Sequence, residues 1–239
     1  MSKLQGARAR AHGEVAVAIK NEARHQLAEE GAAKLSLRAV ARKLGMVSSA
    51  LYRYFPNRDS LLTALIIDAY DAVGAEAERA LKRSESQGDS HVARWQEICR
   101  AVRKWALGNP HEYALIYGSP VPGYTAPEST TGPAARVGLA MLAVLKDAQA
   151  EGVLLETAAG EATAGELQGD AARLLEGLGV ELPATSGVEM VAAWAQLFGL
   201  VSFELFGQFE NVIGSRDAFF EHAVVGLARS VGLVERSAE

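Results

Sequence analysis

Between Ser48 and Arg58 the chain sets four hydroxyls, on Ser48, Ser49, Tyr52 and Tyr54, beside the guanidinium groups of Arg53 and Arg58. Hydroxyls donate to phosphate oxygens and arginines add charge, so this set suits a nucleic-acid backbone. The small side chain of Ser49 lets the main chain come close to a phosphate. Nothing comparable assembles for catalysis. The five histidines, His12, His25, His91, His111 and His222, are scattered, with no His-x-x-His or Cys-x-x-Cys spacing to hold a metal. No glycine pattern follows a strand, as a nucleotide cradle requires. Neither an enzyme nor a cofactor is expected.

The elements that must position these groups are short. Ser36 is placed as an N-cap, and Leu37, Val40, Ala41 and Leu44 recur at helical spacing after it. Gly45 can adopt the left-handed conformation that stops this helix and turns the chain. A second helix is expected over 47–54, with Leu51 and Phe55 inward and Ser48, Ser49, Tyr52 and Arg53 outward. Two short helices joined by a glycine turn make a helix-turn-helix, whose second helix can enter the DNA major groove. The candidate DNA-facing set is Ser36, Arg38, Val47, Ser48, Ser49, Tyr52, Arg53, Tyr54 and Arg58. Pro56 breaks the recognition helix and Asn57 caps the next, expected over 57–83. This long helix starts beside the DNA-facing residues and ends in the body, the position of a lever. Arg58 in its first turn opposes the helix dipole, a mismatch that phosphate would offset. Upstream, 14–30 reads as a bracing helix with Val15, Ile19, Ala23 and Leu27 in one stripe. Residues 1–12 read as a basic arm or a solvated tail.

Charge divides the chain the same way. The 239 residues carry 24 Lys/Arg against 29 Asp/Glu, but residues 1–60 hold 11 basic and 5 acidic side chains. The remainder holds 13 and 24, so a head of +6 sits on a body of −11. Phosphate neutralisation supplies most non-specific affinity, so polyanion binding belongs to the head. Cys99 is the single cysteine, which excludes an intrachain disulfide and fits a reducing cytosol. It reads as a small core residue.

The body reads as all-helical: 90–107, a short helix from Pro110 to Tyr117, 132–152, about 165–178, 185–209 and 215–231. Residues 118–127 carry two glycines and three prolines and read as a loop, where Val121 and Tyr124 could cover a cavity. The segment 191–209 is interrupted by Gln196, Ser202, Glu204 and Gln208, which argues for a buried helix over a membrane span. Helix 185–209 is apolar on nearly every face, more than one domain core covers, so part of it should face a second copy of the chain. Trp95, Trp105, Tyr113, Tyr117, Tyr124, Met141, Trp194 and Phe198 offer large apolar groups with a few polar handles, the lining of a small-molecule site or simply core filling.

The run Ser36-Leu-Arg-Ala-Val-Ala, then Leu44-Gly, then Val47-Ser-Ser-Ala-Leu-Tyr-Arg-Tyr-Phe-Pro-Asn-Arg-Asp-Ser-Leu-Leu62 closely resembles the DNA-binding domain of TetR-family transcriptional regulators. The likeness covers roughly 12–62 without a gap. Residues 113–127 and 194–207 resemble a subgroup named for a Trp-His-Gly signature in its C-terminal domain; Phe198 stands where that subgroup usually has His, next to Gly199. The resemblance implies an effector pocket among the body helices and a repressor that lets go of DNA when the effector binds.

These readings converge on an all-α chain: an N-terminal three-helix, homeodomain-like domain over 1–60, with the helix-turn-helix at 36–55, and a helical effector-binding and dimerisation domain over 61–239. The expected partners are an operator duplex, a small-molecule effector and a second copy through the last two helices, in the cytoplasm and with no membrane contact. The alternative is a small-molecule-sequestering protein without sequence-specific DNA binding, which would bind duplex indifferently to salt.

Overall fold

The computed structural model describes residues 3–156 and 165–235. Among these it shows ten α-helices and no strand: α1 (Lys3–Glu30), α2 (Leu37–Lys43), α3 (Ser48–Leu51), α4 (Arg58–Gln87), α5 (His91–Gly108), α6 (Pro110–Tyr117), α7 (Thr131–Ala150), α8 (Gly165–Gly177), α9 (Ala184–Leu205) and α10 (Arg216–Ser230). The chain packs as two units, residues 1–70 with 109–133, and residues 71–108 with 134–239.

In the first unit α1 is longer than expected. The segment read as an arm is helical from Lys3 onward, because Leu, Gln, Ala and Arg dominate it and all favour helix. The core of this unit is Ile19, Ala23 and Leu27 of α1, Leu37, Val40 and Ala41 of α2, Leu51, Phe55, and Leu61, Leu62 and Leu65 of α4. Leu115, Val121 and Tyr124 pack against that same core, and the Tyr124 hydroxyl lies 2.9 Å from Thr63 Oγ1. Val121 and Tyr124, read from the sequence as possible cover for a cavity, thus pack on the head core. They close the head's own core, because α6 and the loop after it fold back onto α4. Ion pairs reinforce this: Lys20 and Arg24 meet Asp68 at 2.7 and 2.6 Å, and Arg24 reaches Glu112 of α6 at 2.8 Å.

α4 runs to Gln87, four residues past the expected end, and Gly88 stops it in the left-handed conformation with φ 72°. In the second unit Trp95, Ile98, Cys99 and Val102 of α5 join Met141, Val144 and Leu145 of α7, Leu197 and Val201 of α9, and Val224 of α10 as buried residues. Burial raises the Cys99 thiol well above its ordinary range, in keeping with an inert core residue. Arg103 ties three helices together, bonding both carboxylate oxygens of Glu204 at 2.7 Å and Asp217 at 2.7 Å. α8 packs on α9 through Ala171 and Leu175, which meet the backbone at Gly187. α9 is the one helix among the described residues long and apolar enough to cross a membrane, and only 28% of its most apolar window is buried within the chain.

Candidate nucleic-acid interface

Each end of the recognition segment is fixed by short-range bonds. At the start of α2 the Ser36 Oγ accepts the Ala39 amide at 3.4 Å, while the Ser36 amide donates to Gln26 Oε1 of α1 at 3.3 Å. Ser36 is thus the N-cap its type implies, and it is also moored to the bracing helix. At the end of α2 Gly45 takes φ 64°, and the Met46 amide returns to the Ala41 carbonyl at 2.9 Å. Such an αL residue closes a helix and redirects the chain sharply. Beyond the recognition segment, Asn57 Oδ1 accepts the Ser60 amide at 2.8 Å, and Ser60 Oγ donates to the Asn57 carbonyl at 2.7 Å. This capping starts α4 where the sequence places it.

Between these anchors α3 is regular only from Ser48 to Leu51, shorter than the expected 47–54. Residues 52–54 continue as tighter turns, with the Arg53 amide on the Ala50 carbonyl at 3.3 Å and the Tyr54 amide on Leu51 at 2.9 Å. Pro56 then keeps Phe55 out of the helical region, so no helix resumes before α4. Leu51 is fully buried and Phe55 nearly so, whereas Val47 and Tyr52 are 69% and 41% exposed. Ser48, Ser49, Arg53 and Arg38 are exposed as well. The structure thus brings Val47, Ser48, Ser49, Tyr52 and Arg53 onto one open surface of the head.

Two expected members point elsewhere. Tyr54 is half-buried against the head core, and its ring stacks on His12 of α1 with centroids 4.3 Å apart and planes 20° from parallel. Its ring is a packing element. Arg58 turns inward: its Nη2 donates to the carbonyls of Ala32 at 2.9 Å and Ala33 at 3.2 Å. These acceptors lie in the short 3-10 turn Ala32–Lys34 between α1 and α2. The dipole mismatch of Arg58 is offset by main-chain oxygens, where the sequence suggested phosphate.

The remaining charges sort by use. Lys20, Arg24 and Arg58 are engaged inside the head, whereas Arg38, Arg42, Lys43 and Arg53 are exposed and make no ion pair among the described residues. Arg42 and Lys43 were not singled out by sequence reasoning. Their signal was there, two adjacent cations in the last turn of α2 with no acid within four residues. Unneutralised cations beside donor hydroxyls have one ready use, binding a polyanion.

The ring residues expected to bind a ligand fall into both units. In the first, Tyr113 is fully buried, Tyr117 and Tyr124 are half-buried, and the Tyr117 ring packs tilted by 41° against Tyr113 and edge-on to Tyr70, with centroids 5.2 and 5.9 Å apart. Burial lifts the Tyr117 phenol far above its usual range, so it acts as a neutral hydrogen-bonding group. In the second, Trp95 and Met141 are enclosed, Trp105 and Phe198 nearly so, and Trp194 packs edge-on to Phe198 at 5.4 Å. Trp95 Nε1 is buried with no acceptor among the described residues. An open groove of about 500 Å³ on the second unit is lined by Gln96, Glu221, His222, Val225, Gly226 and Arg229, none of them among the expected ring residues.

Comparison with known proteins adds to this geometry. Residues 19–65 match the model for bacterial regulatory proteins of the tetR family, and residues 95–227 match that for the tetracyclin repressor-like C-terminal domain. The HTH-type transcriptional regulator Rv1816 of Mycobacterium tuberculosis is 40% identical over 205 residues, 85% of this chain and 86% of its own length. The crystal structure of a regulatory protein, SCO4313, superposes with a TM-score of 0.68 at 34% identity, covering 91% of this chain and 97% of that one. PfmR of Thermus thermophilus, a regulator with the same fold, gives 0.56 at 18% identity, covering 91% and 99%.

Proposed function

The chain belongs to the tetR family of bacterial regulatory proteins, and from that premise we propose that it is a ligand-responsive repressor that grips a pseudo-palindromic operator as a homodimer. DNA binding and transcriptional regulation come with the family. What carries the reading at residue level is one observation: the exposed surface of 47–53 is flanked by cations that no carboxylate neutralises among the described residues. Ser48, Ser49, Tyr52 and Arg53 contact phosphate, with Arg38, Arg42 and Lys43 beside them, and Val47 is free to meet base edges. Two such heads engage half-sites about 34–36 Å apart, one helical turn, or a multiple of it.

The second copy is supported by α9. Ala192, Ala195, Phe203 and Phe206 are exposed at roughly four-residue spacing, with half-buried Gly199 among them. An apolar stripe with small residues at its centre lets two helices approach closely, which supports a seam through α9, with α10 beside it. In the assembly this contact covers the apolar surface that one chain leaves open, and the protein works in the cytoplasm without touching a membrane.

For the effector, the support is the family and the ring-rich body. The effector acts by its differential affinity for two arrangements of the heads, with α4 as the lever because it runs from the capped Asn57 into the second unit.

Titration of a random-sequence duplex, and of a duplex selected by the protein from a random pool, tests this reading. Affinity for both should fall steeply with salt, as release of several counterions requires, and the selected duplex should bind more tightly. Binding indifferent to salt would instead favour the sequestering alternative.

A further inference from the structure

We infer that Arg58 is a positioning residue of the DNA-binding head: its guanidinium clamps the carbonyls of Ala32 and Ala33 and so closes the chain around the whole helix-turn-helix, instead of lying on phosphate. The clamp spans 26 residues in sequence, and everything between its ends is recognition machinery: α2, the Gly45 turn, α3 and the Pro56 break. Along the chain, the recognition segment joins the rest of the head through α2 on one side and Asn57 on the other, while Leu51 and Phe55 pack into the core beneath it. Tying the chain before α2 to the first turn of α4 sets the distance between those two attachments.

Three features make the guanidinium suited to this post. First, α1 ends in Glu29 and Glu30 and has no basic residue in its last turn, although a helix C-terminus carries partial negative charge and unsatisfied carbonyls. Gly31 then reverses the chain with φ 78°, and Arg58 brings a cation to the carbonyls that follow. Secondly, both bonds start from one nitrogen, Nη2, at 2.9 and 3.2 Å; its two hydrogens match two adjacent acceptors. Thirdly, the side chain is only 28% exposed, with the Asp59 carboxylate 3.7 Å away from Nη1. A group so enclosed and partly neutralised is a poor phosphate ligand. Arg38, Arg42, Lys43 and Arg53, exposed and without an ion pair among the described residues, are better placed for that.

A lysine would not substitute. Its ammonium is a compact point charge one atom nearer the backbone than Nη2, without the planar fork. This separates the clamp from a single-point phosphate contact, which depends on charge more than on the planar fork.

The test uses the full chain and the duplex it selects from a random pool, with affinity measured over a range of salt for native protein, R58Q and R58K. Conditions are chosen where denaturation curves show each protein fully folded. If Arg58 positions the head, R58Q binds roughly tenfold more weakly at every salt concentration, as expected for losing a hydrogen bond from a charged donor. The slope of log affinity against log salt stays native, and R58K does not recover the loss. Amide exchange at Leu35, whose N–H donates to the Ala32 carbonyl, should quicken in R58Q. Three results would overturn the clamp: a slope reduced by about 0.9, the signature of one lost phosphate contact; native affinity in folded R58Q, the sign of a merely stabilising role; or full recovery in R58K. Should R58Q fail to fold, R58K decides: weaker binding at native slope supports the clamp, and native affinity rejects it.

Discussion

Leu51 and Tyr52 are neighbours with opposite fates. Leu51 is fully buried in the head core, whereas Tyr52 is 41% exposed beside Arg53. Truncating each should therefore move different observables. Leu51→Ala leaves a cavity and should cost about 2–5 kcal/mol in a urea denaturation curve. Tyr52→Ala removes no core contact and should shift stability by less than about 0.5 kcal/mol, yet weaken duplex binding by about 1 kcal/mol if the phosphate hydrogen bond proposed for it is lost. A Tyr52→Ala protein that binds selected duplex like the native chain would remove this residue from the interface. The same contrast separates Arg53 from Arg58: two arginines of one short motif, one left open and one spent on carbonyls.

At the scale of elements, the body half of α4 is locked to α7 by Arg136. Its guanidinium bonds Asp71 at 2.7 Å and Glu78 at 2.8 and 2.7 Å, and its stem lies against the backbone of Gly74. A Cβ at Gly74 would come within 2.6 Å of Arg136 Cβ. Alanine would gain about 1 kcal/mol in helix propensity, but crowding of this kind costs about 1–3 kcal/mol. The overlap should win, so Gly74→Ala is expected to lower the urea midpoint; a raised midpoint would show that α7 yields freely. The ion pairs themselves are largely exposed and worth little individually, but they give a pH signature. Hydrogen bonds from Arg136 and Arg100 hold the Glu78 and Glu221 carboxyls below their ordinary range. The unfolded chain therefore takes up these protons first on acidification. Their contribution is complete near neutral pH and is lost as pH falls through the ordinary carboxylate range to the lower folded values. Glu78→Gln should flatten that acid limb, which denaturation curves at stepped pH would reveal.

Charge divides the whole molecule into a basic N-terminal part and an acidic remainder, and one chain leaves its most apolar helix partly open. Phe203, 53% exposed on α9, is the side chain whose replacement best separates assembly from folding. Phe203→Glu should keep the helical circular dichroism of the native protein while its sedimentation shifts from dimer towards monomer. Operator affinity should fall with it, because two heads on one duplex gain from being joined. Native sedimentation in this variant would move the seam away from α9.

Much of this was legible in the order of residues, because the signals act over a few positions. Ser36 and Asn57 cap within three residues, Gly45 turns within one, Pro56 breaks the helix beside it, and the division of charge needs only counting. All-α architecture, the helix-turn-helix and its outward Ser48, Ser49, Tyr52 and Arg53 followed from those. What only the tertiary structure decided depends on residues brought together from afar. Arg58 finds carbonyls 26 positions upstream, Tyr54 finds His12 on α1, and Tyr124 finds Thr63 on α4. Side-chain type sets what a group can bond. Which acceptor lies within reach is set by the packing of helices, and no local pattern encodes that.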